Sequence, residues 1–273
     1  MKKKVVGQGV LGLALGVAVA VATGGNAEAT SPCGGFEECK AFIEINATDG
    51  DIGFQFFVDG EGLRRVRLRH QLKRLFAAET LDGLEEQRLG EISVESDEPS
   101  CEDTTLEEFL LRFPARTYIF TGRVDDIRGV VEGVTPLTHE LPAAPTSLDF
   151  DVLTGVISWE AGTDLGECGT SAELGALVIG GALPVHPEEV EVDAWEIVLE
   201  PDVDESEPVS EQIFTVRVTG DIDPLEVTVP ADYLASLPDD TPVKIEVGAI
   251  GGEHNATFSE EDGFCVNEVN GCE

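Results

Sequence analysis

The chain has 273 residues, 42% of them hydrophobic and 26% charged, and 54 acidic against 17 basic side chains give a formal net charge of −37. That charge repels nucleic-acid phosphates and anionic lipid head groups, which argues against both as partners. The apolar residues fall in ordered alternation, which excludes a disordered chain, and the length suits two domains of about 100 residues each.

The first 29 residues read as a secretory signal peptide. Lys2, Lys3 and Lys4 form a basic start, Val10 to Ala22 is a run of small and apolar residues, and Ala27-Glu28-Ala29 offers a cleavage site. The apolar run is short of the roughly 20 residues of a membrane span, so no membrane insertion is expected after cleavage. Setting this segment aside removes three lysines and one glutamate, leaving 14 basic and 53 acidic side chains in the exported part.

All six cysteines, Cys33, Cys39, Cys101, Cys168, Cys265 and Cys272, lie beyond that site, with no Cys-x2-Cys metal knuckle among them. An even, exported set suits disulfides. Nearest neighbours would join Cys33 to Cys39 and Cys265 to Cys272, leaving Cys101 to reach Cys168 across domains, although spacing alone leaves other pairings open.

Strand patterns dominate the exported chain. Phe42 to Ile45 alternates, and Phe54, Phe56 and Val58 share one face, with Asp49-Gly50 as the turn between the two runs. Further strands are expected at 66–68, 72–76, 92–95, 117–121 and 129–137. One segment differs: Leu106, Phe109, Leu110 and Phe113 recur at helical spacing, with Thr105 and Glu108 placed as a capping box and Pro114 as a stop. The stripe predicts a short amphipathic helix lying as a lid on the end of a sandwich. Leu141-Pro142-Ala143-Ala144-Pro145 reads as a stiff inter-domain linker. Period-two strands then resume at 156–159, 195–199, 213–218, 225–229 and 243–247. The predicted fold is all-β: two antiparallel β-sandwich domains at 36–140 and 146–264, with a cysteine-containing tail at 265–273.

The second half resembles a fibronectin type III domain. Pro145-Thr146-Ser147-Leu148 is similar to the opening strand, Ile157-Ser158-Trp159 to the second strand with its core indole, and Trp195 to Leu199 to the start of the third. Leu237 to Ile250, including Thr241-Pro242-Val243-Lys244-Ile245-Glu246-Val247, resembles the family's sixth-strand motif, with Val243 standing where the family has its corner tyrosine. An insertion at 161–193 is a second departure. The resemblance implies a scaffold for spacing and adhesion and no active site. The stretch 43–54 resembles bacterial exported proteins with a β-rich domain ahead of a fibronectin-like one, and no activity follows from it.

Among candidate sites, Glu44, Asn46, Asp49 and Asp51 surround the first hairpin turn and could supply oxygen ligands to calcium, the one cofactor considered. Solvated acidic turns are the alternative, as at Asp125/Asp126, Asp202/Asp204 and Asp221/Asp223. Arg64, Arg65, Arg67, Arg69, Lys73 and Arg74 form a basic stretch in this acidic chain. It reads either as a docking site for an anionic partner or, preferably, as the counterpart of the protein's own carboxylates, with Val66, Leu68, Leu72 and Leu75 pointing inward. The histidines are isolated, no Gly-x-Ser-x-Gly elbow is present, and Trp159 and Trp195 sit in alternating strands as core residues. Asn46-Ala47-Thr48 and Asn255-Ala256-Thr257 fit the glycosylation sequon by coincidence. The expected function is a non-enzymatic exported module that binds an extracellular protein or glycan, or acts as a spacer. The alternatives are a small hydrolase with a carboxylate pair in the first domain and a calcium-stabilised structural module.

Overall fold

The computed structural model describes residues 33–71, 73–80, 82–125, 127–204 and 206–272, so the signal-peptide reading lies outside the described residues. The fold is all-β. β1 (Glu38–Asn46) and β2 (Asp51–Asp59) form the first hairpin, and β5 (Glu91–Glu95) pairs with the outer side of β2. Strict alternation on β1 turns Ala41, Ile43 and Ile45 inward and leaves Lys40, Phe42 and Glu44 on the opposite face. A second antiparallel sheet, β4-β3-β6-β7, is built from β3 (Arg64–His70), β4 (Lys73–Ala77), β6 (Arg116–Arg123) and β7 (Val131–Leu137). Its inward residues Leu68, Tyr118 and Phe120 meet Phe54 and Phe56 across the gap, with ring centroids 5.8 Å apart for Phe54–Tyr118 and 6.0 Å for Phe56–Phe120.

The second half repeats this two-layer logic. β8 (Thr146–Asp151), β9 (Val156–Glu160) and β12 (Glu226–Thr228) make a three-stranded sheet in the order β12-β9-β8. Facing it are β10 (Val192–Pro201), β11 (Phe214–Thr219), β13 (Thr241–Gly251) and β14 (Ala256–Val266), in the order β11-β10-β13-β14. Trp159 and Trp195 are core residues, as their alternation predicts: both are buried, and their rings lie 5.7 Å apart between the layers. Trp195 Nε1 donates to Gly220 O at 3.1 Å, whereas Trp159 Nε1 is buried without a partner.

The two halves are not separated by a linker. β14 pairs in parallel with β1, Glu44 to Asn46 against Ala256 to Phe258, so one seven-stranded sheet, β11-β10-β13-β14-β1-β2-β5, serves both sandwiches. Residues 141–145, expected as an inter-domain spacer, are buried and strap onto β14. Thr257 Oγ1 donates to Pro142 O and Ser259 Oγ to Pro145 O, each at 2.7 Å. Buried Asn255 completes the join: its Oδ1 accepts from Ile43 N, and its Nδ2 donates to the Thr138 and Glu140 carbonyls. That burial also fits Asn255 for a structural role rather than glycosylation. A buried backbone must pair its polar groups, and here side chains of β14 satisfy the strap. The described residues accordingly cluster as one compact unit with two large apolar cores and a small cluster of Ile250, Ala256 and Phe258, and the expected 264/265 boundary falls inside β14.

The 161–193 insertion belongs to the first core rather than to the domain that it interrupts. Leu165, Cys168, Leu174 and Leu183 are buried with the residues of the first sandwich. The insertion folds into helix α3 (Ser171–Gly180), started by Thr170, whose N–H and hydroxyl both donate to the Glu173 carboxylate. Two shorter helices precede it, α1 (Asp82–Gln87) and α2 (Leu106–Arg112). In α2 one arm of the predicted capping box is present, with Glu108 N donating to Thr105 Oγ1 at 3.3 Å, and Leu106, Phe109 and Leu110 are buried on the first core. The disulfides are Cys33–Cys39, Cys101–Cys168 and Cys265–Cys272; the second staples the insertion to the loop ahead of α2.

Candidate functional site

The face of the seven-stranded sheet turned away from both cores is the most feature-rich surface of the protein. Register sets its composition. Phe42 lies opposite Gln55, Gln55 opposite Glu95, Glu44 beside Ala256, and Glu196 opposite both Arg217 and Gly248. Phe258 lies across Gly248, where a Cβ would come within 2.2 Å of the ring, so glycine there creates the seat for the aromatic side chain. A shallow depression of about 230 Å³ straddles the β1–β14 seam. Phe42, Phe258 and Ile250 supply its apolar surface, and Lys40, Glu44, Glu196, Arg217 and His254 its ionisable groups. Arg217 holds Glu196 through two hydrogen bonds of 2.5 and 3.0 Å.

Beside the depression, carboxylates converge. Ligand oxygens of Glu44, Glu95 and Glu98 lie within 4.8 Å of one another. Gln55 Nε2 donates to both Glu44 and Glu95 at 2.9 Å. Glu98 reaches the group because Gly53 has no side chain: a Cβ there would meet the Glu98 Oε1 at 2.6 Å. Burial, then the charges of neighbouring carboxylates, pushes Glu44 up to about 7 and Glu98 up to about 7. Farther along the same face, burial and then Glu260 push Glu246 up to about 7. For Lys244, burial opposes the charge, but its contacts with Glu200 (3.1 Å) and Glu260 (3.2 Å) outweigh it and hold the ammonium above its ordinary range.

The four residues expected around calcium are divided by the structure. Asn46 builds the turn: its Oδ1 accepts from Thr48 N and Asp49 N, and its Nδ2 donates to Asp49 and Glu260. Asp49 is therefore a turn partner. Asp51 lies at the start of β2, where burial and then Asp49 raise its pKa. Glu44 alone of the four joins the carboxylate trio. Glu95 and Glu98 escaped sequence reasoning because nothing local distinguishes them from other surface glutamates; only the β2–β5 register brings Glu95 to Gln55. Of the other acidic turns, Asp204 holds its own loop through Ser206 and Asp125 meets Arg64 and Arg88.

The basic stretch is similarly divided. Val66 and Leu68 are buried, as expected, and Leu75 is half-buried; Leu72 lies outside the described residues. Arg64 and Arg88 meet Asp125 at 2.8 and 3.0 Å, Arg65 meets Glu79 at 2.5 Å, and Arg69 meets Glu132 at 3.5 Å. Among the described residues, Lys73 and Arg74 have no carboxylate within ion-pair reach.

No protein-family model and no curated protein matches this chain. Three disulfides with no free cysteine among the described residues are compatible with an oxidising, extracellular setting, and no described helix is long and apolar enough to cross a membrane.

Proposed function

We propose that this protein is an exported, non-enzymatic β-sandwich module that binds an extracellular protein or glycan, or spaces other parts, at the cell exterior. The observation that carries the reading is the outer face of the shared sheet. Phe42 and Phe258 stand there beside Lys40 and Arg217 in one shallow depression, the mixture of ring and charge that recognition surfaces use. The sandwich of the second half supports the fibronectin type III resemblance, since its first, second and fifth strands form one sheet and its third, fourth, sixth and seventh strands the other. The carboxylates lie on an open sheet face rather than in a walled cleft, which favours binding over glycoside hydrolysis. The test is a glycan array and an envelope-protein array probed with the wild type and with Phe42→Ala/Arg217→Glu. Retention by the wild type and its loss in the variant are expected. Absence of any ligand together with turnover of a polysaccharide substrate would replace this reading with the hydrolase alternative.

The carboxylate trio favours a second reading, a module stabilised by calcium. Glu44, Glu95 and Glu98 would supply some of the oxygens such an ion takes, and their mutual repulsion would be relieved by it. Calcium at about 100 times its dissociation constant would add roughly 2.7 kcal/mol of stability. Equal melting temperatures in calcium and in chelator would eliminate this reading.

A further inference from the structure

The first sandwich is open along one side. β4 and β5 are the edge strands of its two facing sheets, and among the described residues no strand bridges them. Between them lies a slot of about 300 Å³, walled by Phe54, Phe56, Phe76 and Phe113 with Leu75 and Val94. Phe54 and Phe113 stack at 4.4 Å with their planes 6° apart, so two of the four rings are held against each other. Its volume stands at the lower end of the roughly 300–1,000 Å³ of small-ligand sites, enough for one ring system or a medium alkyl chain.

Two polar side chains line this slot, and they differ in availability. Ser96 Oγ is already engaged, accepting from Phe54 N at 2.9 Å and donating to Asp97 O at 3.0 Å. Lys73 has no carboxylate partner among the described residues, although the chain carries 54 acidic side chains. The next residue, Arg74, also has none, and it stands opposite Arg69 in the β3–β4 ladder, a like-charge pairing that disfavours the strand pair. Across the same ladder, His70 faces Lys73 in register. The His70 side chain is buried with Nδ1 unpartnered, and its ring packs on Tyr118, which packs on Phe54 of the slot wall. An apolar slot with an unneutralised ammonium at its lining, in a protein otherwise flooded with carboxylates, is complementary to one kind of occupant.

We infer that the slot between β4 and β5 binds a small amphipathic carboxylate, its aliphatic or aromatic body among the phenylalanines and its anionic end on Lys73. The apolar body supplies most of the affinity by leaving water. The charge supplies selectivity, because the wrong sign or no charge leaves Lys73 without a partner. Strong negative charge elsewhere repels such ligands at long range, so their capture requires a cation at the slot itself, which Lys73 supplies. The slot shares no lining residue with the depression over the β1–β14 seam, so failure of either site leaves the other standing.

Calorimetric titration of the intact disulfide-bonded protein with decanoate, and with decanol as the uncharged counterpart, tests the inference. The wild type is expected to bind decanoate saturably at one site and decanol at least tenfold more weakly. Lys73→Glu, at an exposed position that leaves the core untouched, is expected to weaken decanoate at least tenfold and decanol less than twofold. Val94→Phe fills the slot and is expected to abolish both, with its near-ultraviolet circular dichroism verifying that the fold is kept. If Val94→Phe fails to fold, displacement of decanoate by 8-anilinonaphthalene-1-sulfonate, an aromatic anion, reads the same site in the wild type. No saturable decanoate binding by the wild type, equal affinity for decanoate and decanol, or unchanged decanoate affinity in Lys73→Glu would each overturn the inference.

Discussion

Replacing Glu246 by Gln should stabilise the protein, by an amount that grows as the pH rises from about 4.5 to about 7. Glu246 is half-buried on the outer sheet face among Glu260, Glu44 and Glu200, and burial, followed by those charges, pushes its pKa from 4.5 up to about 7. The folded state therefore holds this proton more tightly than the unfolded chain does. Stability from this group is fully present below about 4.5 and is lost as the pH rises through about 7. Taken at face value, the ionised form is disfavoured by roughly 3 kcal/mol, and solvent screening brings the effect to about 1–2 kcal/mol. For a chain of this length that corresponds to a rise of roughly 3–6 °C in melting temperature at pH 8. The amide keeps the shape and removes the charge, so below about pH 4.5 the variant and the wild type should melt together. Acidification also lowers the overall net charge, so exposed Glu253→Gln serves as the control for that general effect. Thermal melts at fixed ionic strength, followed by far-ultraviolet circular dichroism between about pH 4 and 8, decide the matter. A gain for Glu246→Gln equal to that of Glu253→Gln, or a loss at pH 8, would refute the claim that burial on this face holds the carboxyl up.

Asn255→Ala should be among the most damaging single changes, because it strands Ile43 N and the carbonyls of Thr138 and Glu140 at the join between the halves. A loss of about 3 kcal/mol in urea unfolding is expected, and a loss under 1 would mean that the join is incidental. Removing the Cys101–Cys168 bridge by paired alanines frees a loop with a sequence separation of 67, for an expected loss of about 4 kcal/mol, against about 2.5 kcal/mol for the Cys265–Cys272 pair with a separation of 7. Denaturant melts of the two double variants should rank in that order. Trp195→Phe gives up a satisfied indole hydrogen bond, whereas Trp159→Phe discards an N–H that is buried without a partner. The first should therefore be more destabilising by about 1–2 kcal/mol, and the reverse ranking would show that ring packing outweighs the hydrogen-bond difference.

Strands such as β1, β2, β10 and β13 were legible because side chains alternate across a sheet, so one buried face writes itself into adjacent residues. β14 was not, since Ala256 to Ser259 are buried on both faces and acidic residues follow. Its two-sided burial comes from the strap at 141–145 on one side and the packing around Phe258 on the other, neither visible locally. The Leu141-Pro142-Ala143-Ala144-Pro145 segment carries the composition of a spacer, yet Thr257 and Ser259 turn it into an internal strap. The candidate site was legible only in fragments. Proximity in sequence groups Glu44 with Asn46 and Asp49, while the sheet register brings Glu95 and Glu98 to it.

The amino-acid order by itself determined the all-β character, most strand positions, the α2 cap and the burial of both tryptophans. Each depends on residues a few positions apart, where backbone geometry and apolar spacing act directly. Tertiary structure alone decided that β1 pairs in parallel with β14, that the 161–193 insertion roofs the first core, and which carboxylates meet on the shared sheet. Those outcomes turn on contacts between segments as far apart as Ile43 and Asn255, where the choice of partner is set by the shape and hydrogen-bonding needs of the whole fold.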